Sequence, residues 1–374
     1  MSTTRVDLAI IGAGIAGLSL AVRLKQNHPN LALAVIGPID DRPQRISTWL
    51  NSTLTEPDWI RPCIEGRWSS WQFRDTSGHY QTQHADVWRY ATLNAQRFKQ
   101  EREALADRLG SVRITESCNR VSTTANRYQV LCDSNTVQCN HVVDTRPPKV
   151  PEHTIKQQFV GYTLRCDRPH NRHSPLLMDF SASAIAHDGL TFIYCLPLSE
   201  RDLLVEATTF SPTRYLQSDY DRGIQEWITA NLPPDITWQR LETESGLLPM
   251  GPVLPVNPRL VRCGIAGGAS RASTGYAWHG TQRQIEAISE IFSRTAKLSN
   301  SRAFSLKARL MDNVFLRVLR HQPDAVYRLF MAMARSLPGD TFAQFLCDEG
   351  GWTPCLKTIQ VAPKWPFVQS LWRS

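Results

Sequence analysis

Glu206 stands inside an apolar run, Leu203-Leu204-Val205-Glu206-Ala207-Thr208. Two readings are open for it. On the outer face of a half-buried strand it is simply solvated. In an apolar cavity its pKa rises, which suits a proton donor or base. Asp179, after Leu176-Leu177-Met178, has a similar setting. Glu242 and Glu244, just before Gly246, read as structural carboxylates. The nine cysteines are irregularly spaced, and neither C-x-x-C nor H-E-x-x-H occurs. No metal site or disulfide framework is expected, and reduced thiols are the plain reading.

A second chemistry is phosphate binding. The sequence Gly12-Ala13-Gly14-Ile15-Ala16-Gly17 follows an apolar run at 6–11. The pattern predicts a strand over 6–11, a helix over 18–24 and a second strand over 31–36. This is a βαβ unit with G-x-G-x-x-G at its first turn. Gly12 allows the tight turn, Gly14 lets a pyrophosphate approach, and Gly17 lets helix and strand pack closely. The acid usual at the end of the second strand is replaced by Gly37, although Asp40 or Asp41 could reach in from the loop. By analogy of position, FAD is favoured over NAD. A second glycine-rich segment runs through Cys263-Gly264-Ile265-Ala266-Gly267-Gly268 to Ser273-Thr274-Gly275-Tyr276, ahead of a helix predicted over 278–292. Amides at such a helix start suit the flavin edge where negative charge grows on reduction.

These groups need elements to hold them. The chain has 374 residues, 42% apolar and 20% charged, so it is globular rather than disordered. The expected class is α/β. A Rossmann-like FAD-binding domain occupies 1–155, with a tryptophan-rich excursion at 45–90. An antiparallel β substrate lobe spans 156–250, with strands predicted over 159–165, 176–180, 190–196 and 203–210. The FAD-binding domain returns at 251–300, and C-terminal helices fill 301–374. A helix is predicted over 90–105, and the apolar His141-Val142-Val143 runs into Asp144, where two-dinucleotide-fold flavoproteins return to the cofactor. The tryptophans at 49, 59, 68, 71 and 88 read either as packing or as an aromatic wall for a long apolar ligand or a carbocation.

Basic residues exceed acidic ones, 42 to 34, which favours anionic partners. No recognition-helix or RNA-binding motif points to nucleic acid. The apolar stretch 8–22 is too short and glycine-broken to span a bilayer. After Leu306, Lys307, Arg309, Arg317, Arg320, Arg328 and Arg335 alternate with apolar residues, and Trp352, Trp365, Phe367, Leu371 and Trp372 follow. That mixture fits either a peripheral membrane contact or ordinary helical packing. The expected location is the cytoplasm, peripheral to the inner face of the membrane.

Taken in order, these pieces resemble the lycopene cyclase family of flavoproteins. The resemblance is carried, beyond the N-terminal fingerprint, by Thr48-Trp49, Trp59-Ile60-x-Pro62, Trp68, Gln96-Arg97-Phe98, Val142-Val143-Asp144-x-Arg146 and Pro175-Leu176-Leu177-Met178-Asp179-Phe180. It continues through Tyr194-x-Leu196-Pro197-Leu198-Ser199, Leu203-Leu204-Val205-Glu206-x-Thr208, Glu244-x-Gly246-x-Leu248-Pro249 and Ser273-Thr274-Gly275-Tyr276. It implies FAD kept reduced by NADPH and a redox-neutral ring closure of a linear, apolar polyene such as lycopene. An acid protonates a terminal alkene, the cation closes a six-membered ring, and a base removes a proton. Glu206 is then the first acid/base candidate and Asp179 the second. Gly12, Gly14, Gly17, Arg97, Asp144, Gly267, Gly268, Thr274, Gly275 and Tyr276 would hold the cofactor. The chain departs from the family pattern at Gly37, at Thr145 (usually Gly), at Ala207 (usually a second acid) and at Ala272 (usually Pro). The competing readings are a flavin-dependent monooxygenase or other redox flavoenzyme, and a flavin-bound scaffold.

Overall fold

The structure, a computed structural model, describes residues 2–54, 58–124 and 127–372. The chain begins with β1 (Ser2–Arg5), β2 (Leu8–Ile11), α1 (Ile15–Asn27), β3 (Leu33–Ile36), β4 (Arg45–Asn51) and β5 (Ile64–Trp68). Next come β6 (Ser70–Arg74), β7 (Tyr80–His84), β8 (Trp88–Asn94) and α2 (Ala95–Arg108). Five short strands follow: β9 (Val112–Ile114), β10 (Arg120–Thr124), β11 (Arg127–Leu131), β12 (Asn135–Cys139) and β13 (His141–Asp144). The middle holds β14 (Ile155–Cys166), β15 (Leu176–Asp179), β16 (Leu190–Pro197), β17 (Asp202–Ser211), α3 (Gln217–Asn231) and β18 (Trp238–Met250). After β19 (Val261–Arg262) and α4 (Trp278–Thr295), the chain closes with α5 (Leu306–His321), α6 (Pro323–Ser336), α7 (Gly339–Cys347), α8 (Thr353–Val361) and α9 (Lys364–Trp372).

The parallel sheet β19-β13-β2-β3-β9 is the Rossmann-like half. Each residue of β2 and β3 is buried, because one sheet face packs on α1 and α4 and the other on the small sheet β1-β12-β11-β10. Burial on both faces is why these strands read as continuous apolar runs.

The second large sheet has seven strands in the order β18-β14-β17-β16-β15-β6-β7. The four strands expected between 156 and 250 are present, but the sheet is wider and mixed. β18 adds one edge, and β6 and β7 come from the tryptophan-rich excursion, with β6 running parallel to β15. One face packs on α3 through Tyr220, Ile224 and Trp227. The other meets α5, α6 and α7 in the largest apolar cluster.

The helix expected over 90–105 divides. Residues 88–94 form the central strand of the sheet β4-β8-β5, and α2 starts only at Ala95. The Asn94 side chain accepts the Arg97 amide at 3.0 Å and so caps the helix there, while Tyr90 pairs with Trp49 and Trp68. Strand pairing outweighs the helical spacing read from the sequence.

Candidate active site

β14 lies between β17 and β18, and its residue Gly161 has Glu206 opposite on one side and Glu244 on the other. Directly opposed residues of neighbouring strands share a face. Glu206 and Glu244 therefore flank a position with no side chain. A Cβ at Gly161 would lie 3.3 Å from both Glu206 Cβ and Glu244 Cγ. Both carboxyls are buried, at 9% and 5% exposure. Glu206 accepts a hydrogen bond from Thr208 Oγ1 at 2.8 Å. Burial pushes its pKa up to about 8, the Glu244 charge adds to this, and Thr208 and Arg45 act against it. Near neutral pH Glu206 thus carries a proton it can donate. Burial also raises Glu244, opposed by Arg45.

Arg45 gathers three carboxylates, Glu65 at 2.7 Å, Glu242 at 3.2 Å and Glu244 at 3.4 Å. Its neighbours at two-residue spacing, Ser47 and Trp49, point the same way. Ser47 Oγ is 2.8 Å from the Tyr194 hydroxyl, which is 2.6 Å from that of Tyr90. The Tyr276 hydroxyl joins Tyr90. Burial keeps all three phenols well above their ordinary pKa, so they stay neutral. Trp49 packs against Tyr90 and Tyr276, with ring centroids 4.8 and 5.0 Å away. The result is a proton-bearing carboxyl on an aromatic, hydroxyl-lined face.

Asp179 is not part of it. Its carboxylate takes the Trp227 indole N–H at 2.8 Å, Arg74 at 3.3 Å and the Ser181 hydroxyl at 2.6 Å. It aligns with Ile193 and Ala207, on the α3 side of the sheet. The same register explains Ala207, which faces an apolar cluster and removes no group from the Glu206 side.

The glycine segments converge elsewhere, at the ends of β2, β13 and β19. Gly12 has φ +113°, a value that favours glycine. Nothing lies within 4 Å of a Cβ built on Gly14, and α1 starts without a side-chain cap or an acid in its first turn. Bare amides beside open space fit a pyrophosphate. Asp144 aligns with Ile11, and its carboxylate is clasped by Arg146 at 2.7 and 2.9 Å. Thr145 replaces the family's glycine without disturbing the turn, since its hydroxyl donates to the carbonyls of Ile11 and Gly12 at 3.0 and 3.2 Å. Gly37 is forced: a Cβ there would sit 2.6 Å from the Ala13 nitrogen. Arg97 is exposed at the start of α2 and bonds the Pro62 carbonyl at 3.3 Å.

The second segment spans the gap between the two groups. Gln284 fixes Gly264 and Gly267, and open space surrounds Gly268. Further along, Arg271 holds Thr274 and Gly275 by its carbonyl and is paired through its guanidinium with Asp312 at 3.2 Å. Gly275 packs on Gln157 and Leu248 of the seven-stranded sheet, and Tyr276 reaches the tyrosine cluster. Buried Ser273 Oγ and Gln157 Oε1 have no hydrogen-bond partner among the described residues. Such orphaned atoms between a phosphate-ready turn and a lobe face fit a flavin lying across both. No group of three or more potential metal ligands occurs among the described residues.

Sequence reasoning missed Arg45, Ser47, Glu65, Tyr90, Tyr194, Arg271 and Gln284, and it undervalued Glu244. The two-residue alternation Arg45-x-Ser47-x-Trp49 was the one local signal available.

Residues 7–350 match the lycopene cyclase protein family. A lycopene beta-cyclase of Pantoea ananas is 26% identical over 396 aligned positions, covering 98% of this chain and 97% of that protein. Among solved structures, a geranylgeranyl bacteriochlorophyll reductase-like protein of Thermoplasma acidophilum superposes with a TM-score of 0.63 at 14% identity, covering both chains fully. A variant of the halogenase PltM in complex with FAD gives 0.57 at 13%, covering 97% of this chain and 87% of that one. The fold is the α/β fold of flavin-dependent monooxygenases and halogenases, with mixed sheets and C-terminal helices.

Proposed function

The chain belongs to the lycopene cyclase family, and from that premise we propose that it closes the end ring of a linear carotenoid by redox-neutral acid/base catalysis. The observation that carries this reading is Glu206, a carboxyl held protonated by burial on a face lined by Tyr90, Tyr194 and Trp49. Glu206 donates its proton to the terminal alkene of the polyene. The neighbouring alkene attacks the resulting tertiary cation, the six-membered ring closes, and a proton leaves a ring carbon to a carboxylate base. Mass is conserved between substrate and product. Trp49, Tyr90 and Tyr276 offer π faces to the cation and no ionised nucleophile to trap it.

FAD, kept reduced by NADPH, belongs to the same proposal, with Gly12, Gly14, Gly17, Arg97, Asp144, Gly267, Gly268, Thr274, Gly275 and Tyr276 as the residues around it. When bound, it supplies negative charge that favours a developing cation. The protein's part is to hold the proton on Glu206 and to keep water from the cation.

Peripheral membrane contact also fits an apolar substrate. No described helix is long and apolar enough to cross a membrane. Trp352 and Trp365 are 62% and 70% exposed, with Leu306, Leu310, Leu356 and Ile359 also open. Lys307 lies 6.0 Å from the Trp352 ring. Of the arginines expected on that surface, Arg317, Arg320 and Arg335 instead bond Ser370, His153 and Asp75. The side chains of Leu371 and Trp372 lie outside the described residues.

The test is product mass. Purified protein with FAD, NADPH and lycopene in liposomes, without oxygen, should give a new product of unchanged mass. Untouched lycopene together with oxygen-dependent NADPH consumption on other polyenes or aromatics would replace this reading with a redox flavoenzyme.

A further inference from the structure

The family's diagnostic stretch carries two adjacent acids, and in this chain the second position is Ala207. Adjacent residues of a strand point to opposite faces, so position 207 is not where a partner for Glu206 is found. A second carboxyl does lie on the Glu206 face, two strands across on β18. Glu206, Gly161 and Glu244 stand in one cross-strand row, and the absent side chain of Gly161 lets the two acids close in over it, Glu206 Cβ and Glu244 Cγ each 3.3 Å from where a Cβ would stand. Arg45 contacts Glu244 directly and is itself only 8% exposed, with Glu65 and Glu242 as its other carboxylate partners. Glu206 has no such cation; its hydrogen-bond partner is the Thr208 hydroxyl.

We propose that Glu244, ionised by Arg45, is a positioning residue that keeps the proton on Glu206 across Gly161, so that the two carboxyls work as one carboxyl–carboxylate pair. This rests on the cyclase reading for its catalytic meaning, but the pairing itself is a property of the apo chain. Two acids this close share one titration, and the one nearer a cation ionises first. The other groups facing Glu206 are Thr208 on its own strand, Tyr194 on β16, Tyr90 on β8, Ser47 and Arg45 on β4, and Tyr276 on the turn. The tyrosines are neutral, so Glu244 and Arg45 are the nearby charges. The pair also closes the proton cycle. Glu206 loses one proton to the alkene, the ring carbon releases one, and passage between the carboxyls restores the starting state with no net exchange.

The test compares wild type with Glu244→Gln and Glu244→Asp. The pH profile of ring closure is measured, and the protonated carboxyl of Glu206 is titrated by infrared difference spectroscopy, with Glu206→Gln assigning the band. Glu244→Gln should move the alkaline limb and the infrared titration together to lower pH by about one unit or more. Glu244→Asp keeps the charge and should leave both near the wild-type position. Should Glu244→Gln fail to fold, Gly161→Ala, which wedges a methyl between the acids, should shift the infrared titration the same way. A Glu206 titration that stays in place in Glu244→Gln, or in the fallback Gly161→Ala, overturns the inference. The infrared arm needs no substrate, so a wild type that makes no cyclised product would defeat the cyclase reading while still judging the pair.

Discussion

Glu206 and Asp179, the two carboxyls set inside apolar strands, project from opposite faces of the same seven-stranded sheet. Asp179 shares a cross-strand row with Ile193 and Ala207, whereas Glu206 shares one with Tyr194 and Gly161. One acid meets an indole and an arginine beneath α3; the other meets the tyrosine cluster.

The two acids should therefore fail differently. Glu206→Gln should lower ring closure by about 10²–10⁴-fold with the fold intact. Asp179→Asn should leave the pH profile alone but cost roughly 3 kcal/mol, because Arg74 loses its buried partner. Product formation and thermal unfolding, measured side by side, separate the cases; a large kcat loss in stable Asp179→Asn would contradict this assignment.

Stability should depend on pH through Glu206. Its folded pKa, about 8, lies above the ordinary 4.5. The folded state then binds the proton more tightly, so this contribution is whole below 4.5 and disappears as pH rises to 8. Glu206→Gln has no such proton to lose. Wild type should lose thermal stability relative to that variant across this window, and parallel melting curves would argue against a buried, protonated acid.

Restoring the usual ribose acid should harm the protein. In Gly37→Asp the new Cβ meets the Ala13 nitrogen at 2.6 Å, inside the glycine turn. A loss of about 1–3 kcal/mol and less FAD per chain are expected. Flavin absorbance against protein content is the check, and raised occupancy would show that the turn can give way.

Thr145→Val removes the hydroxyl that serves the Ile11 and Gly12 carbonyls. The cost should be about 1–2 kcal/mol, again with weaker flavin retention. An unchanged melting temperature would mean that water replaces the hydroxyl.

Replacing both Trp352 and Trp365 by Ser should weaken flotation with anionic vesicles by roughly tenfold, the equivalent of about 1.4 kcal/mol. Activity on detergent-dispersed lycopene should persist. Equal flotation of variant and parent would place the membrane contact elsewhere.

Local pattern determined a good deal of this protein by itself. The βαβ unit and its glycines are contiguous, so their chemistry is readable from spacing. The strands around Glu206 declare themselves as apolar runs, and the acid within one of them was visible as an anomaly. Alternation states only that Glu206 and Ala207 face opposite ways; it does not say which way is the active face. That choice depends on register between strands distant in sequence. Pairing of β14 with both β17 and β18 brings Glu244 to Glu206, and β4 brings Arg45 and Ser47 from about 160 to 200 positions away. Tyr90 was misread as helical for the same reason, because its strand partners, Trp49 and Trp68, lie 41 and 22 residues earlier. The cofactor turn is local and could be read from the chain. The acid's partner, its counter-ion and its protonation are long-range contacts, and only the folded sheet decides them.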